Sequence, residues 1–302
     1  MDDARIAAEL EVAHMPADEL VALVYRLALR RPPEPDALRE AAERLGAGTL
    51  SPAALLGDVV GSAEFEHVRT LDDAVARARR ARAAGERPRG LRAPASHDER
   101  AIEIPWALSR LRGEAAVLDV GYAFAEPAWL AALTSAAAPG AVVGVDLAER
   151  EVPGIRGVRA DVRELPFADG AFDVAFCIST LEHVGLDNRR YGTDAARDEG
   201  GRAAALRELR RVARRVLVSV PAGVEEDHGA FVQLPPEAWL ASFRDAGLEV
   251  VEHETYERTP SGWTSTDGSP AVAYGSRGDG AAAVLCAELG PRRFRLPRFG
   301  RR

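Results

Sequence analysis

Apolar residues recur at helical spacing through the first seventy residues, and none of that stretch alternates as a strand would. Leu20, Leu23, Val24, Leu27 and Ala28 fall on one helical face. Pro32, Pro33 and Pro35 end that helix. Asp36 suits the N-cap of a helix over 37–45, with Gly46 as its stop. Ser51-Pro52 opens another helix, and Ser62 caps one that carries Phe65 and Val68. Residues 71–92 are rich in Ala and Arg, and residues 86–97 in Gly, Pro, Arg and Ser, which predicts a helical run fading into a linker.

From Ala115 the texture changes. Seven short β-branched runs appear: AAVLDV, AVVGVD, GVRA, FDVAFCI, RVLVSV, LEVVEHETY and AAAVLCAEL. Amphipathic segments at 127–137, 202–212 and 236–246 separate them. Alternating strand and helix predicts βαβ units around a mainly parallel sheet covered on both faces. The expected layout is a helical accessory domain at 1–70, a helical run and linker at 71–97, an α/β domain at 98–290 and a tail at 291–302.

Composition narrows the function. The 302 residues are 47% hydrophobic and 28% charged, which is ordinary globular chemistry. Net charge is −8, and the phosphate backbone of nucleic acid demands a basic face, so nucleic acid is not an expected partner. All 39 basic residues are arginine and alanine is abundant, which points to GC-rich bacterial coding. Six of those arginines lie in the last twelve residues without an acid, as expected of a solvated tail. The two cysteines, Cys177 and Cys286, lie in apolar runs and imply neither a disulfide framework nor a zinc site. No apolar run reaches the ~18–20 residues of a membrane span, and the N-terminus lacks a signal-peptide layout, so a cytoplasmic location is expected.

In an open α/β sheet, ligands bind beyond the carboxyl ends of the strands, so strand tips carry the chemistry. The first strand ends in Asp119 and Gly121. The carboxylate would repel a pyrophosphate, and no G-x-G-x-x-G is present; a cationic or zwitterionic ligand suits the site better. Asp146 ends the second strand, where an acid can accept from two ribose hydroxyls. Asp161 follows the third strand and can accept from an exocyclic amine. The fourth runs into Ser179, Thr180, Glu182 and His183. His183 is the titratable base of this crevice suited to neutral pH. Asp119 and Asp173 also suit turn-capping roles. Glu225–His228 reads as a solvated loop with no metal, and Glu252 and His253 as an alternating surface face. Trp106, Trp129 and Trp239 fall on apolar helical faces, whereas Trp263 lies in a Gly/Ser/Thr loop and is a candidate for a substrate mouth.

The stretch RADVRELPFADGAFDVAFCISTLEHVG resembles the class I S-adenosylmethionine (SAM)-dependent methyltransferases with a D-x-x-x-L-P-F-x-D-x-x-F-D signature. Asp161, Leu165, Pro166, Phe167, Asp169, Phe172 and Asp173 carry it, and the resemblance extends over about 98–290. It implies a Rossmann-like, seven-stranded, mainly parallel sheet with an antiparallel last strand, and SAM as cofactor. It also implies roles: Asp119 and Gly121 border the methionine part, Asp146 holds the ribose with Leu147 beside the adenine, Asp161 meets the adenine amine with Val162 against the ring, and Ser179 lies near the reactive end. The family's first loop reads D-x-G-x-G-x-G; here it reads Asp119, Gly121, Ala123, Ala125. Either both alanines take ordinary negative φ or cofactor binding is weakened.

Residues 16–68 resemble a small helical domain related to phycobilisome linkers, through Tyr25, Arg26, Arg30, Asp36, Ser51, Ser62, Glu64 and Phe65. That resemblance implies a docking module, often attached to enzymes of surface-glycan assembly, and hence a protein partner. The combined expectation is methyl transfer to an O or N nucleophile of a saccharide or glycan precursor or a small metabolite. The alternatives are a non-catalytic scaffold with a degenerate SAM site and an NAD-dependent sugar-modifying enzyme.

Overall fold

The computed structural model describes residues 15–86, 89–189 and 197–291; the expected tail beyond 291 and the N-terminal segment before 15 lie outside them. The chain falls into two units, 1–73 and 74–302.

The first unit packs helices α1 (Ala17–Ala28), α2 (Pro35–Gly46), α3 (Pro52–Val60) and the start of α4 (Ala63–Ala83). Val21, Ala28, Leu29, Leu50, Leu55 and Val59 form its core. Ser51 caps α3 by accepting from Ala54 N at 3.1 Å, and Ser62 does the same for Phe65 N at 3.1 Å. Asp36 is not an N-cap: α2 begins two residues earlier than expected, with Pro35 in its first turn and Glu34 at the cap.

In the second unit the strands are β1 (Val117–Val120), β2 (Val142–Asp146), β3 (Ile155–Arg159), β4 (Val174–Ile178), β5 (Val216–Pro221), β6 (Glu226–Asp227), β7 (Val232–Gln233), β8 (Leu248–Thr259), β9 (Gly262–Thr266) and β10 (Ala283–Pro291). The helices are α5 (Arg100–Leu108), α6 (Pro127–Ala136), α7 (Gly201–Val212) and α8 (Pro236–Asp245). The main sheet runs β3-β2-β1-β4-β5-β10-β8-β9. β1 to β5 are parallel neighbours, and β10 is antiparallel to both β5 and β8. This is the expected Rossmann-like α/β fold, with an eighth strand added. β9 pairs antiparallel with β8 and carries Trp263 opposite Arg258.

Two expectations change here. Residues 89–97 do not dangle as a linker. Gly90 N donates to Glu254 Oε2 at 2.9 Å, Leu91 N to Tyr256 Oη at 3.3 Å, and Ala93 bridges Trp263. Glu252 is not a surface residue. It pairs with Arg110 at 2.7 Å, and Arg110, fully buried, also reaches Glu254 at 2.9 Å and stacks on Trp106 at 3.8 Å. That buried network anchors α5 against β8, because a desolvated guanidinium is tolerated only with its donors satisfied. Anchored this way, α5 brings Glu99, Arg100 and Glu103 to the site.

Candidate functional site

A cavity opens at the carboxyl ends of β1, β2 and β4, where the loops after each strand converge. Asp119, Gly121, Asp146, Leu147, Asp161 and Val162 line it, as do Ser179 and His183. Of the expected residues, Ala123 and Trp263 do not.

The first loop leaves β1 through Gly121, at φ +87°. A side chain there would be strained and would meet Thr180 Oγ1 at 2.4 Å. The chain then makes a 3₁₀ turn over Tyr122–Phe124 and leaves Ala125 extended at φ −70°. Among the described non-glycine residues only Arg30 and Ser179 have positive φ, so both alanines lie in ordinary backbone space. Ala123 is buried, and its N–H donates to Asp146 Oδ2 at 3.1 Å. Its part is to hold Asp146, not to wall the cavity. Tyr122 folds back over the sheet, cradled by Gly144 and Gly157, and shares a hydrogen bond with the Arg150 carbonyl at 3.1 Å.

The acids differ in environment. Asp119 is 2% exposed, and Trp129 Nε1–H donates to both its oxygens at 3.1 and 3.2 Å. Burial pushes its pKa up to about 7 against that hydrogen bond, with Asp146 adding to the rise. Burial also raises Asp146, opposed by the N–H groups of Ala148 and Ala123. Asp161 goes the other way. Burial alone would raise it, but the Arg163 hydrogen bonds and charge lower it. Arg163 Nη2 donates to Oδ2 at 2.7 Å and its backbone N to Oδ1 at 2.8 Å, so Asp161 offers little acceptor capacity until Arg163 shifts.

Ser179 sits at φ +42°, its N–H donating to the Ser219 carbonyl at 3.0 Å, and its Oγ donates to Glu103 Oε1 at 2.8 Å. Glu103 is fully buried and paired with Arg100. His183 Nδ1–H donates to the Ala230 carbonyl at 2.7 Å, since a carbonyl only accepts; in the neutral ring the lone pair then sits on Nε2. Trp263 is 1% exposed, with its indole N–H on the His97 carbonyl at 2.8 Å. It is a core residue, because pairing of β9 with β8 draws its loop into the sheet.

Sequence reasoning missed the far wall. Phe231 and Tyr274 line the cavity with ring centroids 4.5 Å apart, and His228 stacks on Phe231 at 4.5 Å. The buried amide of Gln233 ties the two segments together, donating to the carbonyls of Val224 and Val272 at 3.1 and 3.0 Å. Glu99 and Glu182 complete that end. Glu99 Oε2 accepts from Ala281 N at 3.0 Å. Burial pushes Glu99 up to about 7 and Glu182 to about 8. The signal for α5's part was Glu103, a charge inside the apolar run AIEIPWAL.

The donor set suits a nucleoside with a cationic, zwitterionic tail. It has a strand-tip carboxylate for vicinal hydroxyls, apolar Leu147 and Val162 for a base, and the buried acid Asp119 facing the cavity beside the first turn, whose outer carbonyls Arg150 takes at 3.1 and 3.3 Å. Residues 118–216 match the family model described as a methyltransferase domain. Among curated proteins, none matches the sequence. Similar solved structures include Burkholderia thailandensis 1,6-didemethyltoxoflavin-N1-methyltransferase with bound S-adenosylhomocysteine (17% identity, 60% of this chain and 72% of that one, TM-score 0.41). Others are a SAM-dependent methyltransferase of Methanosarcina mazei (12%, 60% and 93%, 0.40) and the [4+2]-cyclase SpnF (22%, 47% and 55%, 0.35). The chain thus carries a methyltransferase domain and is an enzyme of the SAM-dependent kind.

Proposed function

We propose that the enzyme methylates an O or N nucleophile of a small metabolite or of a saccharide or glycan precursor, in the cavity at the strand tips. The observation that carries the site reading is Asp146: a carboxylate at the tip of β2, facing the cavity and held by two loop N–H groups. In this reading Asp146 takes the ribose hydroxyls. Leu147 and Val162 flank the adenine, and Asp161 takes its amine once Arg163 shifts. Asp119 and Gly121 border the methionine part, and Ala123 acts at one remove by fixing Asp146. Ser179, pinned in left-handed backbone, shapes the wall near the reactive end.

When bound, SAM supplies a sulfonium methyl whose C–S bond breaks with its electron pair left on sulfur. The chain's own contribution is to bind, orient and exclude water, which supplies most of the rate in a transfer of this kind. His183, oriented by Ala230, holds the proton that the nucleophile loses. The helical unit is assigned an accessory role toward a protein partner, and the enzyme a cytoplasmic one. Supporting the first, Leu27, Leu56 and Val60 of α1 and α3 are exposed apolar residues.

Calorimetric titration with S-adenosylhomocysteine tests the site. Asp146→Ala removes one or two charge-assisted hydrogen bonds, about 1.5–3 kcal/mol or roughly 10- to 150-fold in affinity. Wild-type affinity in that variant would refute the ribose assignment.

A further inference from the structure

Resting on that reading of the site, we infer that the acceptor carries a cationic nitrogen, received between the carboxylates of Glu182 and Glu99 and the rings of Phe231 and Tyr274.

Glu182 is 4% exposed and lines the cavity, and its Oε2 has no hydrogen-bond partner among the described residues. A buried carboxylate oxygen is normally satisfied, so an unmatched one facing a cavity marks a missing donor. An ammonium group brings three N–H donors and a positive charge; a neutral hydroxyl brings one donor and none. Two arginines line the cavity among the described residues, and the ion pairs of both go to other acids. Arg100 is committed to Glu103, which is itself fully buried. Arg163, the other arginine of the wall, is held by Asp161 and Asp198. The acceptor end therefore keeps an excess of carboxylates beyond those assigned to the cofactor.

The second element is aromatic. Phe231 and Tyr274 meet at 53° with centroids 4.5 Å apart, and both line the cavity. Ring faces attract a cation through their quadrupole, most strongly where water is excluded. Burial, then the charges of Glu99 and Glu182, push the Tyr274 phenol up to about 12, which puts the ring and the acids in one neighbourhood. The pair is held in place by Gln233 and by Glu226, which accepts from Tyr274 N at 2.7 Å. Apolar Ile104, Val184 and Leu186 also line the cavity and suit the hydrocarbon part of such an acceptor.

The chemistry balances. The bound ammonium gives one proton to His183, its lone pair forms the new N–C bond, and the methyl's C–S bond breaks with its pair on sulfur. The proton then passes from His183 to solvent. Recognition leaves its own signature. Glu182 faces Glu99 at the N-cap of α5, Arg100 and Glu103 within it, Cys177 of β4, and Tyr274. Burial holds its carboxyl partly protonated near neutral pH, so an arriving cation ionises it and a proton is released; a neutral ligand releases none.

The test uses the full chain saturated with S-adenosylhomocysteine, titrated at pH 7.5 with 2-phenylethylamine and with 2-phenylethanol, a charged and an uncharged probe of one shape. The amine is expected to bind about tenfold or more tightly than the alcohol. Its enthalpy is expected to depend on the buffer's ionisation enthalpy. Glu182→Gln, which keeps shape, and Phe231→Ala should each remove most of the amine's advantage while leaving S-adenosylhomocysteine affinity unchanged. Equal binding of the two probes, binding of neither, or full amine preference in Glu182→Gln would overturn the inference. Failure of S-adenosylhomocysteine itself to bind would overturn the underlying site reading, and this inference with it.

Discussion

The first loop offers a test in two opposite substitutions. Ala123 and Ala125 stand where glycines were expected, yet the turn needs no left-handed residue after Gly121. Replacing both with glycine therefore relieves nothing. Each change adds chain entropy to the unfolded state, costing about 0.4–1 kcal/mol. Ala123 is 7% exposed, and its lost methyl adds roughly 0.8 kcal/mol. Together the double variant should lose about 1.5–3 kcal/mol, a melting shift of about 3–10 °C. Affinity for S-adenosylhomocysteine should stay level or fall slightly, because the Ala123 N–H that steadies Asp146 survives in a looser turn. Gly121→Ala should behave otherwise. It places a Cβ 2.4 Å from Thr180 Oγ1 at φ +87°. Left-handed strain of about 1–2 kcal/mol and overpacking of about 1–3 kcal/mol both apply, and the residue lines the cavity. Thermal melts and calorimetry on the two variants beside wild type decide it. A tenfold gain in affinity from the two glycines would show that the alanines strain the loop, and the account of a working alanine-built turn would fall.

That loop shows what the residues disclosed and what they did not. Periodicity placed the amphipathic helices, and continuous β-branched runs placed seven of the strands, whereas α5, buried along nearly its whole length, was assigned no segment. β9 escaped: Gly262–Thr266 has the composition of a loop and becomes a strand only by pairing with β8 and bridging Ala93. Trp263 was misplaced for the same reason. Glu252 alternates like a surface residue, and nothing local says that Arg110 will be buried above it. Strand tips were legible because an acid after a β-branched run has few structural uses. Phe231 and Tyr274 were not, because they lie on segments far apart in the chain, brought together by the hydrogen bonds of Gln233 and Glu226 and by the Val224 N–H on the Val272 carbonyl.

Two further tests concern the cradle and the buried acids. Gly144→Ala puts a Cβ 2.4 Å from Tyr122 Cγ and should cost about 1–3 kcal/mol. In a double-mutant cycle Tyr122→Ala should cancel most of that cost, and strict additivity in denaturant melts would show that the ring is not the obstacle. The last test is the pH dependence of stability. Glu99 and Asp119 are raised to about 7 and Glu182 to about 8, in each case chiefly by burial. A raised acid binds its proton in the folded chain at pH values where the unfolded chain has lost it. Its contribution is therefore full below about pH 4 and is lost as pH rises through 7 to 8. Glu182→Gln removes one such group without changing shape. Its stability relative to wild type should climb between pH 5 and pH 9, by about 1–3 kcal/mol with allowance for relaxation of the ionised site. Taking the difference between the two proteins cancels the arginine-paired acids, such as Glu208, whose depressed values act in the opposite sense. A difference that stays flat from pH 5 to pH 9 would mean that Glu182 is ionised throughout and has a cation or water to meet its unmatched oxygen.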